Sequence, residues 1–309
     1  MIKTKNLENL LDKNQARNLF LKYQKECRLS ANFEIKNIYR HLVLSPNTYA
    51  ILYEILDEGK IIKIRVNASS EETRIRAWEV MKFLKNKFSR PPFLIPNVYF
   101  YESDYNLLAY ENVEGKILVN QLEDPSLEEK IKLAARWLNK LHSIDEKFTA
   151  KFPEHKIFFN FDALAKFYPA LAKQGPDFIR SRQRDISKEF LPKLIHGDYQ
   201  PNNIIVGNDE IVVFDFNDSR IADPSFDLAK FLTQLQVMLF RFSNAGFYQN
   251  LEKIFLENYD LNYNKKNFKI YAKIYYLQIL CSLAASLADS PESQRTLPAV
   301  YQYFKALQC

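Results

Sequence analysis

Three side chains in the second half of the chain are of the types, and at the spacing, that handle phosphate groups. The run Leu194-Ile-His-Gly-Asp-Tyr-Gln-Pro-Asn-Asn-Ile-Ile-Val206 places Asp198 in a tight turn after one apolar run, and Asn203 just before a second. A third apolar run, Ile211-Val-Val-Phe, stops at Asp215. Phosphoryl transfer to a hydroxyl needs one carboxylate near the attacking oxygen and two hard oxygen donors to hold Mg²⁺ on the phosphates. Asp198 fits the first role, and Asn203 and Asp215 the second. A lone His-Gly-Asp reads as well as a core histidine beside a turn aspartate; the two further oxygen donors in register favour chemistry.

His196-Gly197-Asp198 with Asn203 resembles the catalytic loop of the aminoglycoside phosphotransferase and choline kinase superfamily, kinase-like enzymes that phosphorylate small molecules. The segment Phe214-Asp-Phe-Asn-Asp-Ser-Arg-Ile-Ala-Asp-Pro-Ser-Phe-Asp-Leu-Ala229 resembles that family's metal-binding strand and the turn after it. The resemblance implies an α+β, protein-kinase-like bilobal fold. A small antiparallel-sheet nucleotide lobe over residues 1–111 precedes a hinge at 112–115 and a larger, mostly helical catalytic and acceptor-binding lobe over 116–309. It implies ATP and Mg²⁺ as cofactors and a small-molecule hydroxyl as acceptor: a sugar, amino alcohol, lipid head group or aminoglycoside. In this frame Asp198 is the base, and Asn203 and Asp215 hold the metal. Asp227 ties helix to loop, while Asn217 and Asp218 belong to a turn beside the metal shell. The rival expectation is a pseudokinase, a nucleotide-binding or scaffold protein of the same fold.

The elements that must position these groups are legible in outline. Residues 37–66 alternate as three antiparallel strands, with a hairpin at Glu58-Gly59. The loop Ser45-Pro-Asn-Thr-Tyr49 resembles the family's phosphate-covering loop and puts Asn47 on the nucleotide. Lys63 lies in an apolar strand between Ile62 and Ile64, and an inward lysine there needs an anionic partner. The resemblance makes that partner the α- and β-phosphates, with Lys60 and Arg65 as alternatives. Ser69-Ser-Glu-Glu72 reads as a capping box for a helix with the stripe Ile75, Trp78, Met81, Leu84 and Phe88. The family's lysine-holding glutamate falls on Ala77, leaving Glu72 and Glu79 as substitutes. A strand through Tyr110 leads to a hinge in which backbone groups at Glu111 and Val113 bond the adenine edge.

Ser126 and Glu129 read as a second capping box, opening a helix that ends at His142, a structural residue. Helical stretches are expected near Phe161–Leu171, Pro176–Glu189, Leu228–Phe242, Phe247–Tyr259 and Lys266–Leu287. With 309 residues, the chain can bury a large core, and 6 Gly with 13 Pro argue against low complexity. Cys27, Cys281 and Cys309 are far apart and show no metal spacing, which suits a reducing cytoplasm. No signal core or membrane span is expected. The net charge of +6 disfavours a polycationic acceptor. The lysine and arginine clusters lack interleaved aromatics, so no nucleic-acid partner is expected.

Overall fold

A computed structural model describes residues 4–41, 47–71, 73–145, 148, 159–240, 245–286 and 290–307. The chain separates into two compact units, residues 1–115 with 209–219, and residues 116–208 with 220–309. The segment carrying Asp215 thus clusters with the N-terminal residues, which a division by linear ranges does not express.

The first unit opens with a 3₁₀ turn at Leu7–Leu11 and helices α1 (Lys13–Lys22) and α2 (Gln24–Cys27). These were absent from the sequence expectation, which allowed the sheet a single helix. Strands β1 (Glu34–His41), β2 (Thr48–Asp57) and β3 (Lys60–Ser69) follow, then helix α3 (Ile75–Leu84). The short strands β4 (Ser89–Arg90) and β5 (Phe93–Leu94) lead to β6 (Val98–Glu102) and β7 (Leu107–Glu111). Five strands form one antiparallel sheet in the order β1-β2-β3-β7-β6. Between β2 and β3 the turn is two residues, Glu58 and Gly59, with φ of 48° and 79°. Positive φ at both positions matches the strand twist, and glycine takes the second without strain.

Alternation along β2 sends Tyr49, Ile51, Tyr53 and Ile55 to one face. There they meet Ile64, Val66 and Ala68 of β3 and the N-terminal Leu7, Leu10, Leu19 and Phe20. Full burial of each large apolar side chain stabilises by about 1.5–3 kcal/mol. The opposite face of β3 carries Lys63, Arg65 and Asn67.

The first capping box does not form. Ser69 remains in β3, its Oγ accepting from the Glu71 N–H, and α3 begins at Ile75. The Arg74 N–H just before it donates to the Asn106 side chain at 3.0 Å. A residue distant in sequence therefore holds the chain at the entry to α3, where no side chain caps the helix. Ser45, Pro46, Glu72 and Cys309 lie outside the described residues.

The second unit holds α4 (Leu127–His142), α5 (Phe161–Ala165), α6 (Pro169–Asp185) and the short strands β8 (Lys193–Ile195) and β9 (Ile204–Val206). The chain then re-enters the first unit as β10 (Ile211–Val213), parallel to β5. It returns through β11 (Arg220–Ala222), antiparallel to β8, into α7 (Ser225–Phe240), α8 (Ala245–Glu257), α9 (Lys265–Ser286) and α10 (Pro291–Ala306). The last helix lies beyond the helical stretches marked out in the sequence. Pro291 occupies its first turn, where its missing N–H costs nothing, with Ser290 as N-cap. The capping box at α4 also fails: Asp124 accepts from both the Ser126 N–H (2.8 Å) and hydroxyl (2.6 Å), and Glu129 pairs with Lys132. The helical region expected from Pro176 starts earlier, at Pro169, and contains Pro176. Among the described residues no helix is long and apolar enough to cross a membrane.

Candidate active site

In the second unit, β8 delivers the chain into a turn that requires glycine: Gly197 has φ 85°. The turn is fixed from behind by Asp227, fully buried at the start of α7. Its Oδ2 accepts the His196 N–H at 2.6 Å and its Oδ1 the Gly197 N–H at 2.8 Å. Oδ2 also meets His142 Nε2 at 3.1 Å, and His142 Nδ1 meets the Tyr259 hydroxyl at 2.8 Å. Burial works to raise the Asp227 pKa. The hydrogen bond and charge of His142, with His196, outweigh it and hold the carboxyl below its ordinary range. His196 braces the turn by accepting the Asp198 N–H at Nδ1, 3.3 Å away. Tyr199 stacks on Trp137 and donates to the Ala134 carbonyl at 2.7 Å, tying the loop to α4.

Asp198 is thereby held with its carboxylate heavily engaged. Oδ2 accepts from Gln200 Nε2 at 2.8 Å and from Asn203 Nδ2 at 2.9 Å. Asn203 Nδ2 also reaches the Asp198 carbonyl at 2.9 Å. Oδ1 faces Lys230 Nζ at 3.1 Å. A carboxylate offers about four lone-pair positions. Three are taken, and the remaining one lies on Oδ1, open to a hydroxyl. None of the Asn203 bonds uses its Oδ1, a hard oxygen suited to Mg²⁺.

Asp215 belongs to the first unit. It adopts a left-handed conformation, φ 71° and ψ 64°, rare for a residue with a Cβ and common where a side chain is aimed for function. Asn217 donates from Nδ2 to Asp215 Oδ1, leaving Asn217 Oδ1 buried with no hydrogen-bond partner. A carboxylate beside an orphaned buried amide oxygen is a donor set that fits a hard cation.

The sheet face near Asp215 differs from the sequence expectation. Lys63 is not inward: its side chain is 38% exposed and pairs with the still more exposed Glu114 at 2.8 Å. That hydrogen bond raises the lysine pKa and lowers that of the glutamate. A small cleft beside Asp215 is instead lined by Asn67, Tyr110, Ala77 and Met81. Tyr110 hydrogen-bonds Asn67 at 3.0 Å rather than standing free for a base. Burial pushes the Tyr110 phenol well up; Asp215 adds to this, and Arg65 and Arg74 oppose it. Arg65, on the same face of β3 as Lys63, pairs in register with Tyr110 and donates from Nε and Nη2 to Asn112 Oδ1 at 3.3 Å. The neutral Ala77 on α3 lies across the cleft from a neutral Asn67, so no lysine there needs a carboxylate.

Asn47 is exposed in the turn before β2 and donates to Glu71 at 2.7 Å. At the end of β7, the Glu111 N–H donates to the Asn97 carbonyl at 2.8 Å, and the Asn112 N–H to the Lys63 carbonyl at 3.3 Å. These bonds use neither the Glu111 carbonyl nor the Val113 N–H. The structure thus brings Asp198 and Asn203 together in one unit, and places Asn47, Lys63, Glu111, Val113 and Asp215 in the other.

Sequence reasoning missed Gln200 and Lys230; it had set Asn217 beside the metal shell but favoured a turn role for it. Lys230 had left a signal: it is the one lysine in the apolar run of α7, and a buried ammonium needs a counter-charge.

Residues 54–260, well over half of the chain, match the family described as phosphotransferase enzyme family. No curated protein sequence matches. Among solved structures, a choline kinase from Streptococcus pneumoniae superposes with a TM-score of 0.63 at 13% identity, covering 95% of this chain and 99% of that one. An ethanolamine kinase from Plasmodium vivax superposes at 0.61 with 16% identity, covering 100% and 93%. A spectinomycin phosphotransferase bound to ADP and spectinomycin does so at 0.55 with 13% identity, covering 88% and 89%. At these identities the likeness establishes the kinase-like fold.

Proposed function

Because the chain belongs to the phosphotransferase enzyme family, we propose that it transfers the γ-phosphoryl group of ATP to a hydroxyl of a small molecule. The observation that carries this reading is the Asp198 carboxylate. It is fixed by Gln200, Asn203 and Lys230, in a turn clamped by Asp227, with one lone pair left open.

Asp198 accepts the acceptor's hydroxyl proton as that oxygen bonds to phosphorus. The bond from phosphorus to the β-phosphate oxygen breaks, and ADP leaves. Positioning and charge neutralisation contribute most of the acceleration in so loose a transition state. Asn203 and Asp215 are assigned to Mg²⁺, with Asn217 Oδ1 as a further oxygen; the ion, bound with the nucleotide, neutralises phosphate charge. Residues 1–111 form the nucleotide lobe, with Glu111 at its end and Val113 of the 112–115 hinge on the adenine edge and Asn47 over the phosphates. Arg65 is assigned to the phosphates ahead of Lys63, since it stands in register with Tyr110, which lines the cleft with Asp215, while Lys63 pairs with the exposed Glu114. Residues 116–309 supply the base and the acceptor site.

The test is calorimetric titration of Mg²⁺-ATP and measurement of ADP release with a library of hydroxyl acceptors. Asp215→Ala abolishes transfer and weakens nucleotide binding. Full activity in that variant refutes the assignment. Tight ATP binding without turnover on any acceptor would instead make the chain a nucleotide-binding scaffold.

A further inference from the structure

We propose that Lys230 sets the acceptor's charge, and that the substrate is an uncharged alcohol rather than an amino alcohol or aminoglycoside. The inference rests on Asp198 being the base and narrows what that base acts on.

The open lone pair of Asp198 is on Oδ1, the oxygen that faces the Lys230 ammonium at 3.1 Å. A hydroxyl docking there comes to rest beside that ammonium. Lys230 is held in place: its side chain is 10% exposed, and Nζ lies 4.8 Å from the centroid of the Tyr275 ring. An aromatic face beside the base, which otherwise suits a cationic ligand, is thus occupied by the chain's own cation.

The two carboxylates at the start of α7 are buried, Asp227 0% and Asp223 1% exposed, so neither can touch an acceptor. Asp227, one turn earlier on α7, is taken by His142 and two backbone N–H groups. Asp223 is taken by the Ser225 N–H and Asn267. Lys230 therefore cancels the negative field of Asp198, which a cationic acceptor would need. In choline or ethanolamine the positive nitrogen is two carbons from the hydroxyl, so docking sets it against Lys230. Like charges that close, in a partly shielded site, discriminate by roughly 10²-fold or more. A neutral alcohol suffers no such penalty. Once Asp198 has taken the proton, Lys230 is left as an unpaired cation beside the transferring phosphoryl group, where positive charge is useful.

The experiment measures kcat/KM for ADP release with matched acceptors. The pairs are choline against its carbon isostere 3,3-dimethylbutan-1-ol, and ethanolamine against ethylene glycol. Neutral monosaccharides and polyols are set beside an aminoglycoside. Wild type is expected to prefer the uncharged member of each pair. In Lys230→Met the uncharged-to-cationic ratio falls by about 10²-fold, and in Lys230→Arg it is retained. A ratio is independent of the folded fraction, so partial misfolding does not imitate the effect. The proposal is overturned if wild type prefers the cationic members, if the ratio is unchanged in Lys230→Met, or if cationic acceptors raise ADP release and no uncharged one does. Failure of the kinase reading itself looks different: ATP does not bind, or its acceptor-free turnover is unaffected by Asp215→Ala.

Discussion

Replacing Asp227 by alanine removes the group on which the catalytic turn is built. The carboxylate is fully buried and satisfies three donors or partners: the His196 and Gly197 N–H groups and His142 Nε2. Alanine strands all three in a site that water does not reach. A buried group left unsatisfied costs about 1–3 kcal/mol, and breaking a buried ion pair from one side costs about 3–5 kcal/mol. The expected loss is therefore about 3–5 kcal/mol, a large share of the 5–15 kcal/mol typical of a folded domain. Asp227→Asn keeps one acceptor oxygen and is expected to lose less.

The wild-type pH dependence has a definite sign. Asp227 is held below its unfolded value of about 3.9, so the unfolded chain binds the extra proton first. Its contribution is complete above about pH 4 and disappears as pH falls through the folded pKa. The assay is urea unfolding of wild type and both variants at neutral pH, repeated down to pH 3. The gap between wild type and Asp227→Ala should narrow as pH falls below about 4. A loss under about 1 kcal/mol at neutral pH, or a gap that does not narrow below about pH 4, would falsify the account of Asp227 as the buried anchor.

Asp198→Asn preserves shape and removes the proton acceptor, so ATP affinity should survive while turnover falls at least about 10²-fold; lost ATP binding with turnover intact at saturating nucleotide would reverse the assigned roles. Asp215→Ala should lower both nucleotide affinity and turnover, and calorimetry beside the rate assay separates it from Asp198→Asn. Arg65→Met should raise the KM for ATP by at least about 10-fold, in line with losing a charge-assisted hydrogen bond, while Lys63→Met changes it little. An equal effect of the two on KM would return the phosphate role to Lys63. Gly197→Ala forces a side chain into φ 85° at the base-bearing turn and should lower both stability and turnover; an unaltered melting temperature and rate would show that the turn adapts.

Local sequence determined the elements whose causes are local. The Glu58-Gly59 hairpin and the alternation along β2 need only turn chemistry and period, and the helices α7, α8 and α9 begin and end within a few residues of their apolar patterns. Asp198 and Asn203, five residues apart, are joined by one loop, so their meeting follows from spacing. Where a second segment decides, pattern failed. Asn106 rather than Ser69 fixes the chain at the entry to α3, and Asp124 takes the Ser126 hydroxyl that a capping box required. The apolar flanks of Lys63 say that it lies on a strand but not whether that strand end is covered; exposure and Glu114 turned it outward. Likewise Lys230 is legible as an isolated charge in an apolar helix, but its partner lies 32 residues away in sequence. Hydrogen-bond partners and counter-charges are properties of the packed chain: a buried polar group takes whichever partner folding brings within 3 Å, and sequence distance carries no information about that.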